Sequence, residues 1–247
     1  MEVLIVGAGA MGRWFAGAVD ATTTFTDVDG AAARRAADAC GGRACSTGEL
    51  EGGFDAVCLA VPIPELADAV EQYSAYADDA VLDVSGVMGQ AVEAMAAAAP
   101  GRERVSLHPL FAPERAPGTV AVVRDAPGPT TEVILGDVER AGNELVETTP
   151  REHDEAMETV QAATHAAVLA FALAADPAPA FSTPVYDRMA ELAGIVTGGT
   201  PRVYADIQES FPGSDRVAEA AAELAAADRG EFETLYGEAT ARWEGKR

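Results

Sequence analysis

The chain of 247 residues contains only three histidines, and each sits among residues able to do chemistry. His108 lies in SLHPLFAP (106–113), after a β-like run and in a loop stiffened by Pro109 and Pro113. An imidazole with an unperturbed pKa of ~6.5 is a good proton acceptor near neutrality. His153 and His165 share one helical stretch, twelve residues apart. On a helix that is about 120° around the axis and ~18 Å along it, so the two cannot aim at one small ligand alike. His153, in the first turn, suits a capping or loop-packing role. Asp154, Gln161 and His165, spaced seven and four apart, share one face beside Val160, Ala163, Ala167 and Val168. A polar stripe on a small, apolar helix suggests a wet cleft. The plainer readings are a loop cap for His108 and a satisfied core ring for His165.

A second constellation is GAGAMG at 7–12, directly after the apolar run VLIV (3–6). Gly7 allows a tight turn, Gly9 lets backbone approach a pyrophosphate, and Gly12 lets a helix pack on a strand. Ala10 and Met11 would open that helix, whose first N–H groups stabilise phosphate. Asp27 in TFTDVD ends the next strand. An acid there accepts a ribose hydroxyl and repels a 2′-phosphate, which selects NAD over NADP. Arg34 and Arg35 speak the other way, unless they are simply a solvated face. Val61 and Pro62 close the run AVCLAV (56–61), and SGVMG (85–89), beginning at Ser85, follows the next strand. The carboxyl ends of parallel strands face the ligand crevice. His108 follows a strand at the same edge, where the nicotinamide lies. Taking a hydride from a carbinol carbon requires the hydroxyl proton to leave too, and a histidine there can accept it.

The elements that must position these residues alternate. Short apolar runs at 3–6, 22–26, 56–61, 80–84, 104–107, 119–123 and 144–148 are separated mainly by helical patterns. Continuous apolar strands between helices predict an α/β fold, a mostly parallel sheet covered on both faces. At TPRE (149–152) the pattern changes: Thr149 as N-cap, Pro150 at the first position and Glu152 closing a capping box predict a helix reaching about Ala175. Helical patterns dominate from there. The expected domains are a dinucleotide-binding one over 1–149 and an all-helical one over 150–247.

Composition excludes several classes. There are 17 basic and 40 acidic residues, a formal net charge of −23, and Lys246 is the only lysine. Such a chain repels nucleic acid and anionic membranes. The acids are spread along the chain, which suits a salt-rich cytoplasm, where screening over ~3 Å at molar salt removes self-repulsion. No apolar stretch is read as reaching the roughly 20 residues of a membrane span. The start, MEVLIVGAGAMG, lacks a basic leader, so a cytoplasmic protein is expected. Cys40, Cys45 and Cys58 form no CxxC pair, so neither a disulfide framework nor a metal site is expected.

SLHPLFAP resembles the HPMFGP-type motif of prephenate dehydrogenases. EHDEAMETVQAATH (152–165) is similar to that family's HD-x6-Q-x3-H helix, and TPVYDRM with VYADIQ (183–208) to its substrate-domain segment. The resemblance implies a Rossmann domain followed by a helical dimerisation domain, with the active site between them. It implies NAD-dependent oxidative decarboxylation of prephenate to 4-hydroxyphenylpyruvate in tyrosine biosynthesis. By the matching motif His108 accepts the ring hydroxyl proton, and His165, with Gln161, helps hold the substrate. Two departures stand out. DVSGVM (83–88) places serine one position early and methionine where the family often has lysine, with Ser85 still a candidate to reach the substrate hydroxyl. Asp187 follows the tyrosine where many members carry a carboxylate-binding arginine, which leaves Arg188 and Arg115 as candidate cations. Arogenate is an alternative substrate. Another β-hydroxyacid-type dehydrogenase is disfavoured by the lack of a lysine on the interdomain helix. A non-catalytic NAD-sensing dimer would need no proton acceptor at the crevice.

Overall fold

The structure is a computed structural model and describes residues 1–176 and 181–245. The chain forms two compact units, Met1–Glu155 and Ala156–Arg247.

The first unit is an eight-stranded sheet, in the order β3-β2-β1-β4-β5-β6-β7-β8. Its strands are β1 (Glu2–Val6), β2 (Thr22–Thr26), β3 (Arg43–Ala44), β4 (Phe54–Leu59), β5 (Ala77–Asp83), β6 (Glu103–Pro109), β7 (Thr119–Ala126) and β8 (Glu144–Glu147). Helices α1 (Ala10–Ala18), α2 (Gly30–Cys40), α3 (Leu66–Tyr73), α4 (Met88–Ala98) and α5 (Pro129–Arg140) connect them. Strand side chains alternate between faces. In β1, Val3 and Ile5 join Phe15, Phe25, Leu107 and Ile134 in one core, while Leu4 and Val6 join Leu59, Leu66, Val70 and Met95 in the other. Both faces are therefore dry, which is why these strands read as unbroken apolar runs.

All neighbouring strands are parallel except β6 and β7. The link from Pro109 to Thr119 is too short for a helical crossover, so the chain turns back on itself. His108 is thus inside β6, paired with Ala121, and not just beyond the strand as the sequence pattern placed it.

Helix α6 (Pro150–Met157) begins with the expected capping box: Glu152 N–H donates to Thr149 Oγ1 at 3.2 Å and Thr149 N–H to Glu152 Oε2 at 3.3 Å. The expected single helix is interrupted. Glu158–Ala163 form a π turn before α7 (Thr164–Ala174). The division between units falls inside α6, not at residue 149, because His153 and Asp154 bond to the first unit. The run Pro150–Ala174 spans 25 residues with a mean hydropathy of 1.2 in its most apolar window. By length and composition it could cross a bilayer, contrary to the expectation that no stretch reaches that length.

The second unit continues with α8 (Pro184–Thr197), α9 (Pro201–Ser210), α10 (Gly213–Ala226) and α11 (Arg229–Trp243). α10 lies so close to the π turn that a Cβ on Gly213 would stand 2.0 Å from the Glu158 carbonyl oxygen. The unit's buried apolar residues are few: Met157, Ala162, Val168, Val196, Ile207 and Phe211 among the described residues.

Candidate active site

The turn from β1 into α1 is built around its glycines. Gly7 has φ +101°, and a Cβ there would meet the Ala60 carbonyl oxygen at 2.3 Å. A Cβ on Gly12 would lie 2.1 Å from the Gly7 oxygen. Gly9 has open space around its missing side chain and gives α1 no side-chain cap. Ala10 and Met11 open the helix, whose first N–H groups have no partner within it. Asp27 stands half-exposed after β2 and accepts from Ala8 N–H at 2.7 Å and Asp29 N–H at 2.8 Å. An ionised carboxylate has about four acceptor positions, which leaves room for a ribose hydroxyl. Arg35 turns to Asp29, 3.3 Å away at the surface. Val61 is half-buried and Pro62 exposed, just after β4. A bare glycine surface, an uncapped helix start and an acid after β2 fit a dinucleotide.

His108 is buried, 7 % exposed. Burial first, and the neighbouring His153 second, push its pKa down to about 3, with Asp154 opposing. The ring is therefore neutral across ordinary pH, as a proton acceptor must be. Its Nδ1 lies 2.8 Å from His153 Nε2. His153 was expected to cap or pack a loop; instead it is buried and lies directly on His108.

Ser85 follows β5 and is also buried. Its hydroxyl donates to Asp83 Oδ2 at 2.5 Å, with the Val87 carbonyl oxygen at 3.1 Å. The single hydroxyl proton is spent inside the protein, so Ser85 can meet a substrate hydroxyl only as acceptor. Asp83 has no exposed surface, and burial raises its pKa to about 6 against the hydrogen bonds from Ser85.

In the second unit, Gln161 sits on the π turn and His165 in the first turn of α7. The His165 ring is half-buried, its Nδ1 makes no hydrogen bond, and burial lowers its pKa. It meets Tyr204 edge to face, centroids 4.8 Å apart. The even register that put Asp154 on one face with Gln161 and His165 does not run through the π turn. Arg188 on α8 and Arg115, in the turn after β6, are both exposed.

Sequence reasoning missed Asp83, Tyr204 and the partnership of His153 with His108. A buried acid at the end of an apolar strand, in AVLDV (80–84), was the available signal for the first.

No protein-family model matches the chain. A 4-amino-4-deoxyprephenate dehydrogenase of Streptomyces pristinaespiralis is 36% identical over 236 residues, 86% of this chain and 78% of its own length. The T-protein of Enterobacter agglomerans is 29% identical over 162 residues, 61% of this chain and 43% of that protein. The crystal structure of prephenate dehydrogenase from A. aeolicus, in complex with hydroxyphenyl propionate and NAD+, matches with a TM-score of 0.71 at 19% identity, over 99% of this chain and 98% of that one. That structural likeness carries the fold. The Streptomyces relative, similar over most of both chains, carries the kinship, and the chain belongs to the prephenate dehydrogenase family.

Proposed function

We propose that the protein oxidatively decarboxylates prephenate to 4-hydroxyphenylpyruvate with NAD as hydride acceptor, in the supply of tyrosine. The observation that carries this is a buried, neutral His108 on the sheet that also bears the dinucleotide turn. Bound NAD supplies the two-electron oxidation at the carbinol carbon. His108 takes the hydroxyl proton, and the pair of electrons from the breaking ring–carboxylate bond aromatises the ring as CO₂ leaves. The proton on His108 then returns to the phenolate oxygen, so none is consumed. Ser85, beside the Gly86 that faces His108, stands near the hydroxyl with its own proton held by Asp83. Gln161 and His165 hold the rest of the substrate, and Arg188 or Arg115 answers its carboxylates.

A second reading, oxidation of the 4-amino analogue, is favoured by the name of the Streptomyces relative. It uses the same groups, with the proton leaving nitrogen instead of oxygen. Arogenate is the third substrate to compare. We place the enzyme in a salt-rich cytoplasm as a homodimer, without nucleic-acid or membrane partners. The net charge of −23 supports the first and last of these, and the exposed apolar side chains of the second unit support the dimer.

The test is NADH appearance with prephenate, arogenate and 4-amino-4-deoxyprephenate, for the native protein and for His108→Asn. The variant should keep its fold and its NAD affinity while kcat falls by about 10²–10⁴-fold. An unchanged kcat removes His108 as proton acceptor.

A further inference from the structure

To accept a proton, the substrate-facing nitrogen of His108 must carry a lone pair. In a neutral imidazole the tautomer is set by the hydrogen bond that the other nitrogen makes. Behind His108 runs a chain of two such bonds. His108 Nδ1 lies 2.8 Å from His153 Nε2, and His153 Nδ1 lies 2.8 Å from Asp154 Oδ1. The two rings meet edge to face at 76°, centroids 5.0 Å apart.

The far end of this chain is anchored by backbone. Met88 N–H donates to Asp154 Oδ1 at 3.1 Å and Gly89 N–H to Oδ2 at 2.9 Å. These groups open α4, whose own N-cap residue, Val87, offers no side-chain cap. Asp154 therefore caps α4 from 65 residues away. Burial pushes its pKa up, but the bonds from His153, Met88 and Gly89 together win and hold it below the usual carboxylate value. An ionised carboxylate can only accept. His153 Nδ1 therefore donates to it, and with that single ring proton placed there His153 keeps its lone pair on Nε2, where His108 Nδ1 donates. The lone pair of His108 falls on Nε2. On that side stands Gly86, where a Cβ would lie 3.6 Å from Nε2, so any larger residue would occupy the space beside it.

We propose that His153 and Asp154 are positioning residues that lock His108 as its Nδ1–H tautomer and share the positive charge once Nε2 takes the substrate's proton. The proposal rests on His108 being the proton acceptor. In the step, the O–H bond breaks with its electron pair left on oxygen, and the new N–H bond forms at Nε2. The Nδ1 proton stays in its hydrogen bond to His153 Nε2. Asp83 on β5 also faces this pair, and the charge of His153 lowers its pKa.

Three histidines in the chain make the ring nitrogens resolvable one by one. Full-length protein labelled with ¹⁵N-histidine is read by long-range proton–nitrogen correlation at neutral pH, with His153→Gln and His165→Gln used only to assign the rings. His108 should show a protonated Nδ1 and a bare Nε2. Asp154→Asn puts an amide donor among three donors, so the tautomers should mix or reverse, and kcat should fall by about 10²–10⁴-fold with the NAD dissociation constant unchanged. A His108 protonated on Nε2 in the native protein overturns the proposal, whether or not the variant folds. So does an Asp154→Asn protein with native kcat. The spectrum needs no substrate: a locked tautomer without turnover of any prephenate-type compound overturns the reaction and leaves the lock standing.

Discussion

In the first unit, β5 hides its last four residues completely and the two faces of the sheet each carry their own core. In the second unit, α11 buries nothing over its fifteen residues and α10 buries only Gly213. Leu173, Phe181, Val185 and Trp243 are 70 to 90 % exposed. Scattered apolar side chains on a surface are ordinary, but so many on one small unit mark a surface meant to be covered. The contrast teaches a division of labour. The sheet unit is finished within one chain and can hold charged and polar groups dry. The helical unit lacks the interior to stand alone, and a second copy is our proposed cover.

The largest expected effect breaks this contrast directly. If a second copy completes the helical unit, its stability depends on protein concentration, and the sheet unit's does not. Each tenfold dilution below the dimer's range costs about 1.4 kcal/mol, so a roughly thousandfold dilution removes about 4 kcal/mol. Hydrogen exchange read segment by segment should lose protection in α8 to α11 on dilution while β1, β4 and β5 keep theirs. Equal protection at every concentration would return the helical unit to a monomer.

A somewhat smaller effect tests the dryness of the sheet unit. Asp83 binds its proton at about 6 in the folded protein against 3.8 as the ordinary value. Between these values the folded state holds the extra proton, so this group favours folding as pH falls and loses that contribution as pH rises. His108 runs the other way, about 3 folded against 6.5 ordinary. Below 6.5 the unfolded chain binds a proton that the folded ring refuses, so stability is lost as pH falls. The two slopes, each about 1.4 kcal/mol per pH unit, oppose one another over the shared window. Asp83→Asn removes one of them. From pH 6 to pH 4 the variant should lose about 2 kcal/mol relative to the native protein. Urea midpoints at matched pH values measure the difference, and parallel curves would mean Asp83 is not buried as a charge.

How much of this the sequence showed follows the same contrast. β1, β2 and α1 were legible because a dry sheet imposes its periods on the chain and GAGAMG marks the turn between them. β3 was not, since two residues, Arg43 and Ala44, carry no period. The direction of β7 follows from the short link before it, a length argument that strand patterns do not contain. Its place in the first turn of a helix suggests a capping or loop-packing role for His153. Its real partner, His108, is 45 residues away, and only the docking of α6 on the start of α4 brings them together. The π turn was illegible for a similar reason. ETVQAA has ordinary helical residues, and the groups that meet the turn lie far along the chain, in α9 and α10.

That last point yields the smallest effect and the sharpest test inside the helical unit. Gln208 Nε2 on α9 donates to the Ala162 carbonyl oxygen at 3.0 Å, a bond made to the backbone of the π turn. Gly213 on α10 admits the same turn from another side. Gln208→Leu keeps the volume roughly and removes the donor, at a cost of about 1 kcal/mol. That is too little to unfold the chain, but it is enough to bias the turn that carries Gln161 and leads into His165. If that turn sets the substrate residues, the KM for prephenate should rise about 5-fold while the NAD dissociation constant and the pH dependence of the sheet unit stay put. A change confined to kcat, or one shared by NAD binding, would show that the π turn does not serve the substrate half of the reaction.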